Sequence, residues 1–181
     1  ALSGCDPWQL GPPAAPRNPP LAPAGVSRHP LGMPILLRPM APPDLPALLD
    51  LWVAAWQATL PATDFAARRG WMEGHLAVLH AGGATTLCAC AEGQTPSGFI
   101  TFFAADGLVE QLAVHPDRFG AGLGTALLEA AKRRRPQGLH LLVNQENPRA
   151  VAFYRRAGFA IIAATTNPDG RRPVWRMAWP G

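Results

Sequence analysis

Tyrosine is almost missing from this chain: of 181 residues, Tyr154 alone carries a phenol. Cysteine is nearly as scarce, with only Cys5, Cys88 and Cys90. That is too sparse for a secreted scaffold stapled by disulfides. A Cys-x-Cys pair in a strand puts both thiols on one face, short of the ligand set that closes a zinc site, so they read as buried structural groups and no metal is expected. A reducing, cytoplasmic compartment follows as the default. No apolar run reaches the roughly 18 residues that cross a bilayer, and no charged segment followed by an apolar core opens the chain, so no membrane partner is expected. Nucleic acid is not an expected partner either. The basic run Lys132 to Arg135 lacks interleaved aromatics and lies at the end of an expected helix, where cations offset the negative dipole end and remain solvated.

What the chain has in abundance is proline, 21 residues of it. Much of this falls in residues 1–33, where "LGPPAAPRNPPLAPAG" shows no apolar periodicity, and that segment is expected to be disordered or extended. It reads either as a flexible tail or as a stretch upstream of a native start at Met33, and detecting natively made peptides from before Met33 would exclude the latter. Residues 34–181, in a chain with 48% hydrophobic content, are long enough to fold as one domain with its own core.

The patterning of that domain alternates. Ile35 to Met40 reads as a strand, and Asp44 as the N-cap of an amphipathic helix running to about Thr59. A second helix is expected over Asp64 to His80, stopped by Gly82-Gly83. Thr85 to Ala91 and Gly98 to Ala104 read as a hairpin, followed by a strand over Leu108 to Val114. A helix from about Gly120 to Arg135, a buried strand Leu139 to Val143, a short helix Pro148 to Ala157, and a closing hairpin of Phe159 to Thr165 with Val174 to Ala178 complete the series. An antiparallel meander followed by a β-α-β crossover implies an α/β (α+β) fold, a mixed and mostly antiparallel sheet of six to seven strands with helices on both faces.

Between the strand ending at Val114 and its helix lies "HPDRFGAGLGT", His115 to Thr125. Glycines let the main chain turn tightly and let a ligand approach it, and a helix N-terminus offers unpaired N–H groups and a positive dipole end, so this turn suits a phosphate. The spacing excludes two common phosphate loops. Thr125 stands where the dinucleotide fingerprint needs its third glycine, and no Lys-Ser or Lys-Thr pair follows as a P-loop requires.

What remains, G-x-G-x-G after "LAVHP", resembles the acyl-CoA pyrophosphate loop of the GNAT superfamily of N-acetyltransferases. A second stretch, "LLVNQENPRAVAFYRRAGF" from Leu141 to Phe159, is similar to that superfamily's other signature, and "LLRPMAPPDLPALLDLW" at Leu36 to Trp52 resembles its first strand and helix. The sequence departs from the pattern at Phe119, where the family usually has Gln or Arg; Arg118 sits one place early. Backbone donation is indifferent to that change.

The resemblance implies a GNAT-like three-layer sandwich and acetyl-CoA as co-substrate. It implies an N-acetyltransferase acting on a primary amine, of a small molecule or a peptide, by direct attack in a ternary complex. A CoA-binding regulatory module without catalysis is the alternative, and since family members often dimerise, a homodimer is an expectation. The pyrophosphate would rest on main-chain amides of Phe119, Gly120, Ala121, Gly122, Leu123, Gly124 and Thr125. The pantetheine arm would lie along Leu112, Ala113 and Val114, on a strand expected to carry a bulge and to splay from its neighbour; Val114 N–H would meet the oxyanion. A mildly basic surface would attract the anionic donor.

Tyr154 matches the family's general acid, against a plain reading as helix packing beside Phe153. Glu110 is the candidate base through a water, since alternation sets Leu108, Glu110, Leu112 and Val114 on one face; a substrate anchor or a solvated carboxylate is the plainer alternative. Asn147 matches the pantetheine-binding Asn and also reads as the N-cap of the helix at Pro148. Asn144 is a further polar candidate, His115 reads as a turn cap, and His140 as a base or a structural histidine. Trp52, Trp56 and Trp71 either wall the acceptor pocket or belong to the core.

Overall fold

The computed structural model of the protein describes residues 25–28, 34–90, 95–167 and 172–181. Most of the segment expected to lack order therefore lies outside the described residues. Its Gly25–Arg28, however, forms strand β1, antiparallel to β2 (Pro34–Pro39), with Gly25 opposite Leu37 and Arg28 opposite Pro34. Composition gave no hint of this pairing, because the partner's open edge supplies the hydrogen bonds.

From β2 the sheet continues antiparallel through β3 (Thr85–Cys90), β4 (Gly98–Phe102) and β5 (Val109–Val114). A second sheet holds β6 (Leu139–Asn144), β7 (Ala160–Thr166) and β8 (Pro173–Trp179), with β8 in the middle. Among the described residues eight strands thus stand where six to seven are expected, the addition being β1. The parallel crossover contact between β5 and β6 narrows to one bridge, Leu108 with His140, supported by the His140 N–H donating to the Gly107 carbonyl at 2.9 Å.

Helices α1 (Leu45–Thr59) and α2 (Arg69–Ala81) cover one face of the larger sheet, and α3 (Leu123–Arg134) and α4 (Pro148–Arg156) lie on the other. In α3 the buried residues Leu123, Ala126, Leu127, Ala130 and Ala131 follow the i, i+3, i+4, i+7, i+8 spacing of one helical stripe, packed on Ile100, Phe102 and Leu139. Each leucine buried there contributes on the order of 2 kcal/mol. On the opposite face Leu48, Leu49 and Trp52 of α1 meet Met72 and Leu76 of α2 over Phe99 and Ala113. Cys88 and Cys90, the thiols among the described residues, are buried and form no disulfide with each other.

Two helix starts differ from expectation. Asp64 Oδ1 accepts from Ala67 N at 3.0 Å just before a 3-10 turn at Ala66–Arg68, which delays α2 to Arg69. Asp44 takes helical dihedrals and does not cap α1 with its side chain. Its carboxylate turns back to accept Ala41 N at 2.7 Å and both terminal nitrogens of Arg38, at 2.6 and 2.7 Å. Among the described residues no helix is long and apolar enough to cross a membrane.

Candidate functional site

Beyond the Leu108–His140 bridge, β5 and β6 part and leave a wedge. Its shape begins with a bulge: Thr101 pairs with Gln111 and Phe102 with Val109, so Glu110 opposes no residue of β4. The extra residue resets the faces of β5. Val109 joins Leu112 and Val114 against the α3 side, whereas Leu108 and Ala113 pack with the α1 and α2 side. The simple alternation that groups Leu108 with Glu110 is corrected accordingly.

Main-chain pairing then decides which groups of β5 stay open. His115 N donates to Ser97 O at 2.9 Å, and hydrogen-bonded pairs alternate along an antiparallel ladder. Gln111, Ala113 and His115 therefore turn their N–H and C=O groups toward β4. Leu112 and Val114 turn theirs into the wedge. Of the three strand residues expected to hold an extended amide-bearing ligand, Ala113 contributes a wall and the other two contribute donors and acceptors.

The glycine turn follows directly. A 3-10 turn over Pro116–Arg118 is capped by His115, whose Nδ1 accepts from Asp117 N at 3.3 Å. Gly120 and Gly122 adopt φ of +81° and +78°, a region costly for any residue with a Cβ, which is also why α3 starts at Leu123 rather than Gly120. Phe119 N donates to Pro116 O and Ala121 N to Arg118 O, both at 3.1 Å, so these two amides are already engaged. The first bond of α3 is Ala126 N to Gly122 O, and the N–H groups of Gly120, Gly122, Leu123, Gly124 and Thr125 have no acceptor among the described residues. They form an anion cradle at a positive helix end.

Wedge and cradle belong to one cleft of about 670 Å³. Glu110 and Tyr154 both line it, as do Leu112, Val114, Asn144 and Asn147. Burial, and after it the nearby Asp106 carboxylate, raises the pKa of Glu110. Burial also pushes the Tyr154 phenol well above its ordinary value. The Tyr154 ring is set between Phe153, edge-on at 5.1 Å, and Phe159, at 5.6 Å, and its hydroxyl makes no hydrogen bond to any described residue. Asn147 caps α4 by accepting Ala150 N at 3.0 Å through Oδ1.

Other candidates separate. Trp52 is core, 3% exposed, and donates from Nε1 to Gln111 Oε1 at 3.2 Å; Trp56, one turn on, lines the cleft with Thr59. Trp71 stacks on His75 at 4.8 Å. His140 does not line the cleft, and burial lowers its pKa. Two residues that the sequence reading did not single out reach the site: buried Asn167, and Arg149, two places after Asn147, whose guanidinium lies 3.6 Å from the centre of the Phe119 ring. Among the described residues no three His, Cys, Asp or Glu side chains gather as metal ligands.

An open strand edge, a glycine cradle and a phenol thus line one cleft. The family described as the acetyltransferase (GNAT) domain matches residues 82–161, which contain the bulged strand, cradle and Tyr154. Over those 80 residues the chain is similar to the GNAT superfamily. Peptidyl-lysine N-acetyltransferase YiaC of Escherichia coli K12 is 29% identical over 138 residues, spanning 76% of this chain and 91% of that protein. Peptidyl-lysine N-acetyltransferase YjaB of Salmonella typhimurium is 32% identical over 85 residues, 47% of this chain and 57% of that one. The solution structure of apo YjaB from Escherichia coli superposes with a TM-score of 0.65 at 27% identity, covering 81% and 98% of the two chains. PaiA N-acetyltransferase of Thermoplasma acidophilum, solved with coenzyme A, shares the fold at 18% identity, with a TM-score of 0.67 and coverage of 81% and 99%. These similarities support an acyltransferase.

Proposed function

We propose that this enzyme moves the acetyl group of acetyl-CoA to the side-chain amine of a lysine in a peptide or protein, by direct attack within a ternary complex. The observation that carries the reading is the single cleft in which the open edge of β5, the amide cradle, Glu110 and Tyr154 meet. The cradle receives the donor's diphosphate, and the Leu112 and Val114 main-chain groups pair with the pantetheine amides. Asn147 adds a side-chain contact there. The acceptor class follows the names of the relatives, both peptidyl-lysine N-acetyltransferases. Trp56 and Thr59 offer a wall for a long aliphatic amine.

The chemistry balances with groups in place. The lysine ammonium loses a proton to Glu110 through a water, and the free amine attacks the thioester carbon. The carbonyl oxygen becomes an oxyanion facing Val114 N–H. Collapse breaks the carbon–sulfur bond as the Tyr154 hydroxyl protonates the departing thiolate; the second proton, shed by the attacking nitrogen as the amide forms, returns through water to the Tyr154 oxygen, and Glu110 gives its proton to solvent. Mixing the purified protein with acetyl-CoA and lysine-containing peptides should release free thiol and add one acetyl group per lysine by mass. Absence of both, with no heat of CoA binding, removes the proposal.

Two variants probe this reading. Because Glu110 works as a base only when ionised and its pKa is raised, the acid limb of kcat/KM should lie above the ordinary carboxylate range. Glu110→Gln should lower kcat/KM about 10- to 100-fold and erase that limb, leaving only the rise that follows the substrate amine. An unchanged pH profile assigns the base elsewhere. Gly122→Ala forces a Cβ into a positive-φ position at about 1 kcal/mol, and calorimetry should show CoA binding weakened about fivefold.

A further inference from the structure

We propose that Arg149 is the cation that grips the phosphate end of the donor, held flat for that task by Phe119. The inference rests on the acetyl-CoA reading of the cleft and assigns a contact that the glycine cradle alone does not provide. The Arg149 guanidinium lies 3.6 Å from the centre of the Phe119 ring, and both residues line the cleft that holds the free amides.

Three features set this arginine apart from a solvated surface charge. It is the second residue of α4, where the positive end of the helix dipole disfavours a cation unless an anion comes to offset it. No carboxylate pairs with it among the described residues, and nearby Glu146 is taken by Arg172 at 3.4 Å. Finally, contact through the face of the guanidinium leaves its five N–H donors free in the plane, the geometry that meets a phosphate with two parallel hydrogen bonds. Phe119 cannot hydrogen-bond a phosphate itself. It acts instead as a positioning residue that selects the guanidinium plane. The cradle at the start of α3 and the guanidinium at the start of α4 together present positive potential to a polyanion.

Calorimetric titrations with CoA, 3′-dephospho-CoA and acetyl-pantetheine, which carries no phosphate, test the assignment. Arg149→Ala should weaken CoA binding tenfold or more and leave acetyl-pantetheine unchanged, while circular dichroism confirms that the exposed substitution leaves the fold intact. Arg149→Lys, which keeps the charge and loses the flat fork, should recover part of the loss; Phe119→Leu should show a smaller loss, again only for phosphate-bearing ligands. A loss seen with CoA and absent with 3′-dephospho-CoA supports a contact to the 3′-phosphate; equal losses with both support the diphosphate. Wild-type affinity for CoA in Arg149→Ala, or an equal loss for acetyl-pantetheine, overturns the proposal. Wild-type protein that binds no CoA at all overturns the acetyl-CoA reading itself.

Discussion

Tyr154→Phe is expected to cut kcat roughly 100-fold while leaving CoA affinity within about twofold of wild type, the loss that removal of one positioned acid produces. The substitution removes one oxygen and keeps the ring that packs between Phe153 and Phe159. Because the hydroxyl makes no bond to any described residue, its loss strands no buried partner, and stability should move by less than about 0.5 kcal/mol. A fall in turnover therefore reports chemistry rather than damage to the fold. The raised pKa of the phenol sharpens the test. An acid must be protonated to act, and a phenol pushed above its ordinary range remains so throughout the working pH range. The alkaline side of the wild-type kcat profile should show no loss near pH 10, where an ordinary tyrosine ionises. Unchanged kcat in Tyr154→Phe would leave the ring as packing and move the acid elsewhere.

What could be read from the sequence was what local chemistry encodes. The glycine turn, the strand before it, the helix after it and the "AFYRRAGF" segment each carry their signal within a few residues, and each stands close to its expected place. Features set by a partner distant in the chain were illegible. The bulge at Glu110 exists only relative to the register of β4, so alternation along β5 alone assigned Leu108 to the wrong face. The same ladder turns the amides of Ala113 away from the cleft. The engaged N–H groups of Phe119 and Ala121 depend on a 3-10 turn that composition does not announce. Arg149 reaches Phe119 only because β6 and α4 fold back across the mouth of the wedge. Asp44 looked like a cap because the residue type fits, yet Arg38 competes for its carboxylate with two charge-assisted hydrogen bonds.

That ion pair yields the second large effect. Asp44→Asn should destabilise the protein by about 3 kcal/mol at pH 7, because it leaves the Arg38 charge at 19% side-chain exposure with its bidentate partner neutralised. The lower end of the range for buried pairs applies, since the two groups sit near the surface and water screens part of the loss. For a domain of this size the melting temperature should fall by roughly 6 to 12 °C. The pH dependence carries a definite sign. The hydrogen bonds from Arg38 hold the Asp44 carboxyl below its ordinary value, so the stabilisation is complete above the unfolded pKa of about 3.9 and disappears as pH drops through the folded value. The gap between wild type and variant should stay constant above about pH 5 and close in more acid solution; a gap that persists at low pH would assign the loss to packing instead. The consequence reaches the cleft through α1. Arg38 and Asp44 pin the end of β2 to the start of that helix, which carries Trp52, bonded to Gln111 of β5, and Trp56, which lines the cleft. Below its melting temperature, Asp44→Asn should therefore raise KM for the amine and leave the Kd for CoA unchanged, because the amides proposed for the donor belong to β5 and the turn before α3.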